Sequence, residues 1–349
     1  MRRLSGHCFR GAATIEVLVT RLRLPTRHQG FASTRTNRGV SLRTIFAKQT
    51  RALGNSGINV GAIAFGCWRF AGVDLATATT RIETALDAGM TLIDTADVYG
   101  LDNDCPWGSA EALLGEVLAA KQSLRGRMVL ATKGGIQLDR GIGMGVPYDT
   151  SAKRINEACD ASLKRLQTDV IDLWQIHRPD LLAHPAEVAA AMQGLVDAGK
   201  VRFLGVSNYS ATQIAALQAH LKAPLITTQP EFSVAQLSPI DDGVFDHAMS
   251  HNITPLAWSP LAGGRLVDAT NTEPRFVAMR TLMAELAETH NATPTQIALA
   301  FVLAHPAGVI PIIGTGKAER IVESAGAAAI TLAKDDCYRL IAASGRALP

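Results

Sequence analysis

Residues 91–100 read TLIDTADVYG. Thr91, Leu92 and Ile93 open the stretch as strand formers. Two carboxylates, Asp94 and Asp97, and the phenol of Tyr99 follow at once. An apolar strand that ends on acids fits a buried parallel strand emerging at a polar rim. Aspartate is also a turn residue, because its side chain bonds nearby backbone. The stretch alone therefore leaves two readings, a polar turn or half of a catalytic site.

Working outward, the pattern of a short apolar stretch followed by a helical one recurs. The candidate strands are Ala62–Cys67, Thr91–Asp94, Met128–Lys133, Val170–His177, Phe203–Ser207, Leu225–Gln229, Pro255–Ser259 and Val309–Ile313. Between them, apolar residues fall at helical spacing, as in Ile82, Leu86 and Met90, then Ala112, Leu113, Val117 and Leu118, then Ile155, Ala158, Ser162 and Leu166. Ala88-Gly89 and Ala198-Gly199 read as helix stops, Ser151 or Asp149 as a cap, and Pro294 as a first-turn proline. Strand–helix alternation predicts a parallel sheet, since parallel neighbours need a long crossover. Eight such units predict an α/β chain closed into a (β/α)8 TIM barrel. Residues 51–349 are expected to form this single domain, with residues 1–48 as a basic extension. The insertions Leu101–Trp107, Gln137–Pro147 and Gly263–Arg275 all follow strands, so they belong to the C-terminal face, where barrel enzymes keep their chemistry.

Composition narrows the class. Hydrophobic residues make up 47% of the 349, enough for a large core, and charged residues 19%. The five cysteines, Cys8, Cys67, Cys105, Cys159 and Cys337, form no CxxC pair and no zinc-type spacing. They imply a reducing compartment without a disulfide framework or a metal site. The most apolar run, Ile297 to Ile313, is interrupted by His305-Pro306 and Gly308, which argues against a membrane span. Residues 1–48 hold nine Arg and one Lys against the single acid Glu16, a net +9. With +3 overall, the remainder carries −6 and offers no nucleic-acid surface. The basic segment has the composition of an organellar transit peptide but a poor amphipathic pattern, so a cytoplasmic protein is expected, with import as the alternative.

In a barrel the strand ends share one rim. The second strand ends at Asp94, with Tyr99 just beyond, the third at Lys133 and the fourth at His177. The fifth ends at Ser207-Asn208, the sixth at Gln229 and the seventh at Trp258-Ser259. Singly, each has an ordinary explanation: a turn cap, a rim aromatic, a solvated lysine, a histidine bonded to a loop. Together, an acid, a phenol, an ammonium and an imidazole on successive strands suit proton transfer.

The segments IDTADVYG, GSAEALLG, VLATKGG, DVIDLWQIHRPD, GKVRFLGVSNY, PLAWSPLAGGRL and IPIIGTGKAERIVES resemble the aldo/keto reductase superfamily, in order, over about residues 51–340. The resemblance implies a (β/α)8 barrel that moves hydride between NADP(H) and a carbonyl or alcohol substrate, with Asp94, Tyr99, Lys133 and His177 as its tetrad. In that scheme Lys133 favours the phenolate of Tyr99, lowering its pKa, and Asp94 keeps Lys133 charged. By resemblance, Ser207, Asn208 and Gln229 bond the nicotinamide carboxamide and Trp258 stacks on its ring. The pyrophosphate falls to Ser259, Leu261, Gly263 and Arg265. Gly314, Thr315 and Gly316 lead into a helix start that suits an anion. Lys317 and Arg320 supply positive charge, with Arg320 on a 2′-phosphate, which favours NADP(H) over NAD(H). Glu323 meets the adenine. Ser324 stands where many members have Asn, and Gly314 where some have Lys. The run Gly141–Gly145 follows no strand directly and reads as a loop rather than a dinucleotide fingerprint. Trp68 and Trp107 are candidate apolar walls for the substrate, and Asp97 is left shaping the turn. Two other readings stand beside the reductase: a Schiff-base lyase or aldolase using Lys133, and a non-catalytic barrel that binds NADPH and regulates a partner.

Overall fold

The computed structural model describes residues 49–101, 104–137 and 148–348. The basic extension and the Gly141–Gly145 run lie outside the described residues. Two short strands, β1 (Thr50–Ala52) and β2 (Asn59–Gly61), pair antiparallel as a hairpin. Eight parallel strands follow: β3 (Ala64–Gly66), β4 (Leu92–Asp94), β5 (Val129–Gly134), β6 (Ile171–Ile176), β7 (Val201–Ser207), β8 (Leu225–Gln229), β9 (Thr254–Ala257) and β10 (Ile310–Ile313). They close in sequence order, with β10 pairing β3 and β9. Each expected strand is present. The seventh stops at Ala257, so Trp258 and Ser259 stand just past it.

Helix boundaries follow from capping chemistry. The helix Ala152–Leu166 starts at Ser151, whose hydroxyl accepts from the Arg154 N–H, while Asp149 accepts from Ser151. The helix Pro294–Ala304 carries its proline in the first turn and a Thr293–Gln296 capping box. Ala88 and Ala198 cap the helices Leu75–Asp87 and Pro185–Asp197. One face differs from its expected pattern. In the helix Ser109–Ala120, Glu111 and Leu114 are buried, whereas Ala112 and Leu113 are half-buried. The helix is turned because Glu111 accepts from Thr132 at 2.5 Å and from Arg165 at 2.7 Å, which satisfies a carboxylate inside the protein.

The barrel interior is filled by Ala64, Leu92, Val129, Ala131, Leu173, Ile226, Leu256 and Ile310. Leu53 and Val60 of the hairpin join this cluster from below. Arg51 locks the hairpin by donating to the carbonyls of Val309 and Leu303, each at 2.7 Å. A floor closed by side chains leaves the strand C-termini as the open mouth. Truncating one of these residues, such as Leu173→Ala, costs about 2–5 kcal/mol by the usual cavity penalty. Among the described residues no helix is long and apolar enough to cross a membrane, and no group of His, Cys, Asp or Glu is placed to hold a metal ion.

Candidate active site

Parallel register brings the tetrad together. Asp94 ends β4 opposite Ala131, Lys133 lies two residues further along β5, and His177 directly follows β6, its N–H bonded to the Gly134 carbonyl at 2.8 Å. The loop after β4 is tied to β5 by Thr95 N–H to Ala131 O (2.9 Å) and Asp97 N–H to Lys133 O (3.0 Å). A turn from Tyr99 N–H to Ala96 O then sets the phenol over the mouth. Gly100 follows it with φ +144°, and a Cβ there would lie 2.2 Å from the Pro106 carbonyl. Any side chain at this position would push the Tyr99 loop outward.

Lys133 is fully buried, and its Nζ donates to Asp94 Oδ2 and to the Thr95 carbonyl, both at 2.7 Å. Gln229 Nε2 donates to the second oxygen of Asp94 at 3.1 Å, so both carboxylate oxygens are occupied. The ammonium lies 5.0 Å from the centre of the Tyr99 ring, and the His177 ring meets Tyr99 edge-on at 5.9 Å. Burial pulls Lys133 toward neutrality, but Asp94 and Tyr99 outweigh it and hold its pKa above the ordinary lysine value. Burial pushes His177 well below its usual range, with Lys133 and Arg178 adding to the effect, so the imidazole is neutral. Tyr99 corrects the expectation from sequence. Lys133 does pull its pKa down, but burial pushes harder upward and Asp94 adds to it, so the net shift is up. The phenol keeps its proton until something further stabilises the phenolate. The Schiff-base alternative meets an obstacle in the same geometry: an imine-forming lysine needs a lowered pKa, and Lys133 is raised and ion-paired.

Four of the residues expected to hold a cofactor form a continuous hydrogen-bonded row beside the tetrad. Trp258 Nε1 donates to Asn208 Oδ1 at 3.0 Å, Asn208 Nδ2 to Ser207 Oγ at 2.8 Å, and Ser207 Oγ to the Gln229 carbonyl at 3.0 Å. Trp258 is half-buried at the rim, not packed in the core. Ser259 (φ +49°) and Gly263 (φ +70°) give the loop after β9 its left-handed turns around Leu261. The Arg265 guanidinium lies over Phe276 at 5.0 Å. Beyond β10, Gly314 and Thr315 precede Lys317, the N-cap of the helix Ala318–Ala325, and Lys317 and Arg320 are exposed there. The Glu323 carboxylate accepts from the Thr293 hydroxyl at 2.7 Å, on the neighbouring helix.

Two cations that sequence reasoning passed over join this end of the row. Arg69 donates to the Gly314 carbonyl at 2.7 Å, and Arg81 donates to the Arg69 carbonyl while lying against Gly316. Arg81 Nε is buried without a hydrogen-bond partner. An orphaned guanidinium N–H, a glycine loop and a helix start together fit a polyanionic dinucleotide. No local motif signals these arginines, because they come from β3's loop and the following helix.

The tryptophans separate. Trp68 is 37% exposed with the Arg69 guanidinium over its ring at 5.0 Å. Trp107 lines a cleft of about 790 Å³ with Leu101, Pro106, Gln137 and Arg154, between Tyr99's loop and the helix Ala152–Leu166. Asp97 is not a simple turn residue. It is 0% exposed, and neither carboxyl oxygen has a full hydrogen bond. The Val98 amide turns toward it, and Arg154 Nη2 stops at 3.7 Å.

A closed (β/α)8 barrel with ionisable side chains gathered at its C-terminal mouth is the architecture of a barrel enzyme. The family model described as "Aldo/keto reductase family" matches residues 62–344, and the chain belongs to that family of oxidoreductases. It is 49% identical over 302 residues to the 6-dehydroglucose reductase of Novosphingobium aromaticivorans, covering 86% of this chain and 97% of that protein. A second 6-dehydroglucose reductase, from Agrobacterium fabrum, is 32% identical, covering 81% of this chain and 94% of that protein. Among solved structures, the thermostable aldo-keto reductase Tm1743 in complex with epalrestat superposes with a TM-score of 0.70. It is 25% identical, and the match covers 84% of this chain and 99% of that one. The family uses a nicotinamide cofactor.

Proposed function

We propose that the protein reduces an aldehyde or ketone with NADP(H), or oxidises the corresponding alcohol, with Tyr99 as general acid and base. The observation that carries this reading is the convergence of Tyr99, Lys133, Asp94 and His177 at one mouth, with Lys133 bonded to Asp94 at 2.7 Å. When bound, the nicotinamide supplies the hydride. Ser207, Asn208 and Gln229 would hold its carboxamide and Trp258 its ring face. Ser259, Leu261, Gly263 and Arg265 would receive the pyrophosphate. Gly314, Thr315, Lys317 and Arg320, joined by Arg69 and Arg81, would receive the adenosine phosphate end. Glu323 retains one free oxygen's worth of acceptor capacity for the adenine amino group.

The chain's own residues move the proton. His177, neutral, hydrogen-bonds the carbonyl oxygen and fixes it beside Tyr99. Tyr99 gives its proton to that oxygen as negative charge develops, and the buried Lys133 ammonium stabilises the phenolate left behind. Asp94 keeps the ammonium charged and aimed. A raised resting pKa suits this direction, because the acid stays loaded at neutral pH. Trp68 and Trp107 would wall the substrate. The names of two relatives, each spanned almost completely by this chain, support a sugar-derived aldehyde such as 6-dehydroglucose as the substrate class.

NADPH consumption across 6-dehydroglucose, simple aldehydes, ketones and unmodified sugars tests the reading. Turnover on the sugar aldehyde is expected, and no turnover on any carbonyl would favour the regulatory barrel. Tyr99→Phe should cut turnover by about 10²–10⁴ while leaving NADPH affinity nearly intact. Unchanged turnover would remove Tyr99 as the acid. Arg320→Ala should weaken NADPH more than NADH, by about tenfold for a lost charge-assisted contact; equal losses would detach Arg320 from the 2′-phosphate.

A further inference from the structure

Asp97 and Arg154 are both unsatisfied, and they face each other. Asp97 lies two residues before Tyr99, its backbone N–H bonded to the Lys133 carbonyl, so its position is fixed by the catalytic strand itself. Its side chain is on the opposite side of β5 from the Lys133 ammonium. There Oδ2 lies 3.5 Å from where a Gly134 Cβ would stand, a point also close to Trp174 and Ala158. Arg154, on the helix Ala152–Leu166, donates from Nη2 to the Ile136 carbonyl at 3.0 Å and keeps a buried Nε without a partner. The same Nη2 ends 3.7 Å from Asp97 Oδ2, beyond hydrogen-bond length. The guanidinium also lies 5.7 Å from the centre of the Trp107 ring, over the cleft. One guanidinium thus lies near both a buried acid, at 3.7 Å, and a cleft-lining indole, at 5.7 Å from the ring centre. A movement of less than an ångström toward Asp97 would complete the missing bond and shift the cation relative to the ring.

We propose that Asp97 and Arg154 are positioning residues that set where Trp107 stands at the cleft, and so tune substrate KM without taking part in proton transfer. The proposal rests on the reading of Trp107 as a wall of the substrate site. Asp97 is pushed up to about 8, first by burial, then by Glu111, while Arg154 and Arg165 pull it down. The charged groups facing it are Glu111 from the helix Ser109–Ala120 and Arg154 and Arg165 from the helix Ala152–Leu166; the strand residues beside it, Gly134 and Trp174, carry no charge. At neutral pH the acid is neutral and the pair open. Above its pKa the carboxylate draws the guanidinium in, because a cation is held more strongly by an ionised acceptor, by roughly a factor of two for charge-assisted bonds.

The test uses the full chain and two readouts, intrinsic tryptophan fluorescence and steady-state kinetics, from pH 6 to 10. Wild type is expected to show a fluorescence step near the Asp97 midpoint, and this step should vanish in Trp107→Phe, Asp97→Asn and Arg154→Met. The KM for the carbonyl substrate should change about three- to tenfold across the same interval in wild type and stay flat in Asp97→Asn, with kcat within twofold. A step that survives Asp97→Asn, or its absence in wild type, overturns the proposal. If the Asn variant fails to fold, Arg154→Met decides by the same criterion. A step without any change in KM would also overturn the proposal, by removing Trp107 from the substrate site, while absence of turnover on every substrate in wild type would count against the reductase reading alone.

Discussion

Strand β5 separates two buried acid–base pairs, whose acids are the last residue of β4 and a residue of the loop that follows it. On its inner side Asp94 and Lys133 meet at 2.7 Å, with Gln229 on the second carboxylate oxygen and the Thr95 carbonyl on the ammonium. On its outer side Asp97 and Arg154 stop at 3.7 Å, and neither has its hydrogen bonds complete. Both acids are essentially inaccessible to water. The difference shows that proximity of opposite charges does not by itself hold a buried carboxylate ionised. Burial disfavours the charged form by several kcal/mol, and only close hydrogen-bonded contact offsets it. The closed pair keeps a permanent ammonium beside Tyr99. The open pair leaves Asp97 able to change charge at mild alkalinity.

The sharpest way to break this contrast is to remove one partner from each side. Lys133→Met strands Asp94 in the barrel mouth and should destabilise the fold by about 3–5 kcal/mol, the usual penalty for an uncompensated buried charge. Arg154→Met should cost about 1 kcal/mol or less at pH 7, because its acid is neutral there, the contact is open and the Arg154 side chain is itself partly exposed. Urea denaturation of both variants measures the two losses. Equal losses would mean that the 3.7 Å pair is already ionised and that the two pairs do not differ.

How far these pairs could be read from sequence follows the same division. Asp94, Lys133 and His177 were legible because each lies at or beside a strand's end, and closing a parallel sheet carries strand ends to one rim whatever the loops do. The helix face at Glu111 was not legible, because a buried acid breaks the apolar period and its partners, Thr132 and Arg165, come from other elements. Asp97 and Arg154 failed for the same reason: a loop and a helix meet there by tertiary packing, with no spacing to announce it. The hairpin β1–β2 also went unread, since three-residue strands carry no period. Tyr99 was placed correctly but its net shift was not, because the balance between burial and an ammonium depends on how much water the mouth admits.

A smaller effect makes stability depend on pH through Asp97. Unfolded, Asp97 titrates near 3.9, and folded it is pushed up to about 8. Between those values the native state holds a proton that the unfolded state has lost, so stability falls as pH rises, by about 1.4 kcal/mol per pH unit for one such group. The contribution is complete below the unfolded value and gone above the folded one. Asp97→Asn has no proton to lose. Its Tm should match wild type near pH 4, rise above it through neutrality, and keep a constant margin beyond pH 8 to 9. A margin that is the same at pH 5 and pH 9 would show that Asp97 ionises normally inside the protein.

The finest adjustment concerns what sets the Asp97 midpoint. Glu111 raises it through like charge, second only to burial, and Glu111 itself is held by Arg165. Glu111→Gln removes that repulsion and also frees the Arg165 guanidinium to act on Asp97. Both consequences have the same sign and favour the carboxylate. The fluorescence step assigned to Trp107 should therefore move to lower pH, by on the order of half a unit for charges that interact across a partly screened interior. A midpoint that does not move would leave burial as the whole cause and would make Asp97 blind to the ion pair behind it. Movement to higher pH would mean that Arg165 and Arg154 compete for position, so that freeing one guanidinium displaces the other from the acid.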